Sequence, residues 1–86
     1  MKHATAESLA QIEALLTALR TIPGLTERKL GVFYRRANAF AHFHEDPAGM
    51  FADLRDPQTG WVRMSVSTED ETEAFLKRAT QAAVGP

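Results

Sequence analysis

The chain has 86 residues and a formal net charge of −1, with ten lysines and arginines against eleven aspartates and glutamates. This length fits one domain, and the balanced charge does not indicate a polyanionic partner. The absence of cysteine excludes disulfides, thiolate nucleophiles and cysteine metal sites. No apolar run approaches the roughly 18 residues of a membrane span, and Glu7 and Glu13 interrupt the N-terminal pattern where a signal peptide would be apolar. We therefore expect one soluble, cytoplasmic domain over residues 1–86, with no membrane association.

Residues 5–22 are predicted to form an amphipathic helix. Apolar residues recur there at spacings of three and four, which places them on one stripe. These residues are Leu9, Ile12, Leu15, Leu16, Leu19 and Ile22. Pro23 and Gly24 are expected to end the helix. The basic stretch that follows, residues 25–31, is interpreted as a connector.

From Gly31 onward the pattern changes to that of β-strands. Aromatic and branched residues lie on both sides of a polar break near Arg36 and Ala37, which predicts a hairpin. Its turn lacks glycine, and Asn38 is the residue expected to take any left-handed conformation. Residues 46–49 read Asp-Pro-Ala-Gly, typical of a type I turn, and residues 56–60 read Asp-Pro-Gln-Thr-Gly, which suits a turn ending in a bulge glycine. Four strands joined by three short turns are therefore predicted.

The last segment is predicted to be a second helix. Thr68 and Glu71 have the spacing of a capping box at its start. Acidic residues follow in the first turn and basic residues come later, which suits the helix dipole. The resulting order, α-β-β-β-β-α, predicts an α+β domain in which a four-stranded antiparallel meander carries both helices on one face.

The two Asp-Pro turns also predict which residues face each other across the strands. Counting from the first turn places His42 opposite Asp53, and counting from the second places Asp53 opposite Arg63. Asp53 then has a cation on either side, so we expect it to stay ionised and His42 to favour its protonated form. The face opposite this row is almost wholly apolar and should lie under the helices. Its residues are Val32, Tyr34, Ala39, Ala41, Phe43, Met50, Ala52, Leu54, Val62, Met64 and Val66.

The face away from the helices, called the open face below, mixes aromatic and charged side chains. Its candidate site or interface residues are Phe33, Phe40, His42, His44, Phe51, Asp53, Arg55, Trp61 and Arg63, with Arg35 and Ser65 beside them. Four aromatic residues together are more apolar area than a monomer usually exposes. The leading hypothesis is therefore a non-enzymatic module, most simply a homodimer, that self-associates or binds a partner through this face.

The histidines support an alternative. His42 and His44 place two imidazoles on one strand face, about 6–7 Å apart at their Cα atoms, and two such ligands can share a metal ion. With Asp53 nearby, the alternative is a small metal-dependent or acid–base enzyme. His3 is interpreted as part of a frayed N-terminus, and Asp46 has a role as the first turn residue. The favoured interpretation remains two polar histidines on an open face or interface, with no cofactor.

A third alternative is weak nucleic-acid binding. It rests on a basic set near the first hairpin: Arg28, Lys29, Arg35 and Arg36. Such residues can contact phosphate. Neighbouring acidic residues dilute this charge, so a solvated sheet edge is the favoured interpretation and nucleic acid is not expected as a partner.

The stretch from Pro23 to Arg55 resembles a group of small bacterial proteins of uncharacterised function. The likeness lies in a leading helix, a Gly-Val-Phe-Tyr strand, an Ala-Phe-Ala-His-Phe-His strand and the Asp-Pro-Ala-Gly turn. It implies a fold and no activity. The order of elements also resembles, more loosely, the MmcQ/YjbR-like α/β group, for which DNA binding has been suggested. This chain lacks the C-terminal segment containing His-Trp that is expected in that group.

Overall fold

A computed structural model describes residues 1–84. Its elements in chain order are β1 (Lys2–His3), α1 (Ala6–Leu9), a 3₁₀ helix (Ala10–Ile12), α2 (Glu13–Arg20), β2 (Leu25–Lys29), β3 (Val32–Arg35), β4 (Asn38–Asp46), β5 (Gly49–Asp56), β6 (Gly60–Ser65) and α3 (Glu69–Ala83). The expected α+β class with an antiparallel sheet is confirmed. The expected four strands are wrong, because the described chain has six and begins with one. Within residues 1–84, no helix is long and apolar enough to cross a lipid bilayer.

The N-terminal helix is divided, where the sequence predicted one helix over residues 5–22. Ile12 adopts φ −119° and ψ 29°, outside the helical region, and separates the 3₁₀ helix from α2. The predicted apolar stripe nevertheless faces the core, since Leu9, Leu16 and Leu19 are all buried. Periodicity therefore identified the buried face correctly but not the break in the backbone.

The strands of the sheet lie in the order β2-β3-β4-β5-β6, and each neighbouring pair is antiparallel. The stretch interpreted as a connector is in fact β2. Leu25 packs against the core, and Glu27 accepts a hydrogen bond from Arg20 Nε at 2.6 Å. These contacts fix the segment against α2 as an edge strand, although its charged sequence gives a weak strand signal.

The predicted register of the last three strands is confirmed. His42 pairs with Asp53, and Asp53 pairs with Arg63. Both Asp-Pro turns contribute, since Gly49 and Gly60 have φ values of 137° and 85°, which glycine adopts without strain. The open face of β4, β5 and β6 is therefore the one that the sequence predicted.

A β-bulge overturns the predicted faces of β3 and the start of β4. Tyr34 pairs with Ala39 while Phe33 pairs with Ala41, so Phe40 is an extra residue on its strand. Phe33 and Phe40 consequently join the core, with exposed fractions of 1% and 3%. Tyr34 and Ala39, predicted for the core face, lie on the open face instead.

The same shift affects two further predictions around this hairpin. Val32 precedes Phe33 in the strand, so alternation places it on the open side rather than in the core, and it is only half-buried. The turn at Arg36 and Ala37 forms where predicted. The residue with positive φ is Arg36 at 59°, not Asn38.

The helices cover the other face of the sheet, as predicted. Leu19, Leu54 and Phe75 are fully buried, and the rings of Phe43 and Phe75 lie 5.8 Å apart. The predicted capping box at the start of α3 forms in both directions between Thr68 and Glu71. The face of β4 that carries His42 and His44 is on the other side of the sheet, where no described helix covers it.

Candidate metal-binding site

All three histidines of the chain meet on the open face. Alternation along β4 places His42 and His44 on the same side, and β1 pairs His3 directly with His44. One ring nitrogen from each histidine lies within 4.8 Å of the others. The ring of His44 is 4.9 Å from each of the other two rings, and the His3 and His42 rings are 6.1 Å apart. The three residues are called the His cluster below.

The position of His3 depends on how the N-terminal segment runs along β4. Strand β3 pairs with β4 only as far as Ala41, so the rest of that edge is open to another strand. β1 occupies it, and the Ala4 N–H donates to the Phe43 carbonyl oxygen at 3.1 Å. Thr5 then caps α1 and turns the chain away. The chain thereby brings a residue from its beginning next to one 41 positions later.

Asp53 holds the buried member of the His cluster. Asp53 Oδ2 lies 3.0 Å from Nε2 of His44, the buried member. The Asp53 carboxylate also accepts hydrogen bonds from Arg63, from Nε at 2.7 Å and from Nη2 at 2.9 Å. The Arg63 hydrogen bonds lower the pKa of Asp53, so this carboxylate is ionised at neutral pH. An ionised carboxylate can only accept, so His44 Nε2 donates this hydrogen bond, and Nδ1 is the ring nitrogen that Asp53 does not engage.

His42 departs from its predicted state. Burial lowers its pKa, and the opposing effect of the Asp53 carboxylate is smaller. The expected preference for the protonated form is therefore wrong, while the expected ionisation of Asp53 agrees with its lowered pKa. His42 Nδ1 lies 3.9 Å from Asp53 Oδ2, too far for a hydrogen bond, and this buried nitrogen has no partner among the described residues. His42 is thus a neutral imidazole with an unsatisfied nitrogen, which is rare in folded proteins.

The His cluster matches the donor set of a zinc site. Zinc binds three histidine nitrogens at 2.0–2.1 Å and keeps a fourth position for water or another ligand. Tetrahedral geometry at that bond length places the nitrogens about 3.3 Å apart. The nitrogens, which lie within 4.8 Å of one another, would therefore have to approach by up to about 1.5 Å to share one ion. His3 is exposed and can make that movement, while His44 is fixed by Asp53.

The remaining predicted site residues divide between the core and the rest of the open face. Trp61 packs against His42, with ring centroids 5.3 Å apart, and is 49% exposed. It borders a shallow hollow shared with His42, Asp53, Val62 and Arg63. Phe51 pairs with His44, and Arg55 pairs with Trp61. Phe33 and Phe40 lie in the core and are not part of the site.

The basic residues considered for nucleic-acid binding lie on β2, β3 and the following turn. The Arg28 guanidinium stacks over Tyr34, 4.1 Å from its ring centroid, and donates to the Arg36 carbonyl oxygen at 3.5 Å. Lys29 and Arg36 are exposed, and Arg35 is half-buried. Arg28 therefore has structural contacts within the sheet.

His3 is the site residue that sequence analysis missed. Its only sequence signal is the residue type, since two residues before a helix cap do not make a recognisable strand. Pairing between such distant segments depends on tertiary structure and leaves no local pattern. Comparisons of the chain with protein-family models, with curated proteins and with solved structures found no match. The resemblances noted from the sequence therefore stay predictions.

Proposed function

We propose that this protein is a binding module that holds one divalent transition-metal ion, with Zn²⁺ as the ion to test, through His3, His42 and His44. The observation that carries the proposal is the convergence of three imidazoles on one sheet face. Imidazole nitrogens suit zinc, copper and nickel, whereas magnesium and calcium prefer oxygen ligands. A cytoplasmic location remains a prediction from the sequence.

Three features of the surroundings support metal binding over a purely structural cluster. Burial favours the neutral, ligating form of His42. Asp53 accepts from His44 Nε2, the arrangement in which a carboxylate orients a metal-bound histidine and raises its basicity. A coordinated ion would also give the buried His42 Nδ1 the partner that no described residue supplies.

The experiment is calorimetric titration of Zn²⁺ into chelator-treated protein. We expect one ion per chain and a large loss of affinity in His42→Gln and His3→Ala. Glu13→Gln removes an exposed charge on α2, far from the His cluster, and should bind like the unmodified protein. Because the chain has no cysteine, thiolate binding cannot contribute. Absence of binding, or histidine variants that bind Zn²⁺ as tightly as the unmodified protein, would refute the proposal.

Self-association through the open face is the second candidate function. The observation that favours it is Trp61, which is 49% exposed and packs against His42 at one side of the face. Burial of Phe33 and Phe40 reduces the exposed aromatic area on which the homodimer prediction rested. Sedimentation equilibrium of the protein and of Trp61→Ser separates the cases. A dimer that Trp61→Ser dissociates supports this function, and a monomer at every concentration removes it.

A further inference from the structure

The N-terminal strand is held on the sheet by a small number of contacts. β1 contains only two residues, and its Lys2 Nζ lies 3.1 Å from Glu45 Oε1 with the lysine side chain 76% exposed. The Met1 ammonium adds a longer contact, 3.9 Å from Asp46 Oδ1. An exposed ion pair of this kind contributes about 0–1 kcal/mol. The Ala4 N–H bonds to the Phe43 carbonyl and its side chain packs against the edge of the core, but fully buried side chains begin only at Ser8 and Leu9, which are 7% and 4% exposed. Local opening of such a segment costs far less than global unfolding.

The His cluster is divided between this weakly held strand and the interior of the sheet. His42 and His44 lie on β4, which is paired along both edges, and His44 is further fixed by Asp53. His3 is the single member on β1. The docked strand therefore offers an ion three nitrogens, and the undocked strand leaves it two. A ligand that binds one of two conformations more tightly shifts the population towards that conformation.

We propose that metal occupancy controls the docking of β1 on β4, so that the ion locks the N-terminal strand to the sheet. The inference rests on the proposed metal-binding function and adds a regulatory consequence to it. When the strand undocks, the Phe43 carbonyl and the adjoining edge of β4 lose their β1 partners. Metal binding thus decides whether this stretch of sheet edge is covered.

The coupling has a quantitative signature, because allosteric coupling between two equilibria is reciprocal. The factor by which docking raises metal affinity must equal the factor by which the metal stabilises docking. His3→Ala removes the third ligand and so reports the affinity of the undocked state. Coupling of about 5- to 150-fold is typical of such systems.

The test combines two measurements on the full chain. Amide exchange of Ala4 is followed by NMR in chelator and at rising Zn²⁺ concentrations, and Zn²⁺ affinity is measured for the unmodified protein and His3→Ala. We expect Ala4 exchange to slow by the same factor by which His3→Ala weakens binding. The Val66 amide, which bonds to the Met50 carbonyl at 2.8 Å in the interior, is the control for global unfolding.

The possible outcomes separate this inference from the function on which it rests. If zinc binds through His42 but Ala4 exchange does not change, the ion does not control the docking of β1, although the metal site itself stands. Slowing of Ala4 that keeps growing with Zn²⁺ concentration in step with Val66 would also overturn the inference, because both amides would then exchange by global unfolding. Absence of zinc binding would refute the proposed function itself. Slowing at Ala4 that reaches a plateau matched to the affinity loss, while Val66 continues to slow as the Zn²⁺ concentration rises, supports the inference.

Discussion

Replacing Asp53 by asparagine tests how the site is built. Asparagine keeps the size of the side chain and an oxygen that can accept from His44 Nε2, but it removes the negative charge. The carboxylate now makes contacts of 2.7 and 2.9 Å with Arg63 and 3.0 Å with His44. The variant therefore separates the charge of the orienting group from its shape.

We expect Asp53→Asn to weaken Zn²⁺ binding by about 10- to 100-fold, the usual effect of losing a partner that orients a metal ligand. This corresponds to about 1.4–2.7 kcal/mol of binding free energy. The loss should come through His44, whose Nε2 proton no longer faces an ionised acceptor. Competition by protons at His42 is not the cause. The Asp53 carboxylate is the main influence raising the pKa of His42, so the variant lowers that pKa further and keeps the ring neutral.

Calorimetry at neutral pH gives the affinities, and NMR titration of the imidazole carbons gives the His42 pKa. The matched control is Asp56→Asn. It makes the same charge change on the same strand, at a carboxylate 3.3 Å from Arg78 and three residues from the site. Unchanged zinc affinity in Asp53→Asn, or an equal loss in both variants, would refute the orienting role. An unchanged His42 pKa would refute the electrostatic coupling.

Three further predictions concern stability. Phe33→Ala should lower the free energy of unfolding in urea by about 3–5 kcal/mol, because this side chain is 1% exposed. Trp61→Ala should lower it by under about 1 kcal/mol. Equal losses in the two variants would contradict the bulge that buries Phe33. Thr68→Ala should lose about 1 kcal/mol of thermal stability through the lost cap, and Thr68→Ser should restore it. Hydrogen bonds, led by that of the Ser65 hydroxyl, hold the pKa of Glu71 below its ordinary value of 4.5. The ionised Glu71 side chain therefore stabilises the fold above pH 4.5, and this stabilisation is lost as the pH falls through the lower pKa of the folded state. If the free energy of unfolding depends on pH in the same way in Glu71→Gln, this prediction is wrong.

Local signals in the sequence were enough to predict the register of the last three strands. Two Asp-Pro turns of recognisable length set the pairing, and a slip by one residue would have exposed an entire apolar set. The row of His42, Asp53 and Arg63 follows from those local signals. The helix cap at Thr68 is equally local, since its partner lies only three residues away.

Tertiary structure decided the features that depend on distant contacts. The bulge at Phe40 turns two aromatic residues into the core, because burying Phe33 and Phe40 under the helices gains more than regular alternation would. Strand β2 exists because α2 and the core hold a charged segment at the edge of the sheet.

The same reason explains the His cluster. Two of its members could be read from the spacing of His42 and His44 along one strand. His3 joins them only because β3 ends early and leaves part of the β4 edge open, where a two-residue strand pairs. The neutral state of His42 likewise follows from burial, which depends on the packed fold and outweighs the charge of the Asp53 that the sequence correctly placed beside it.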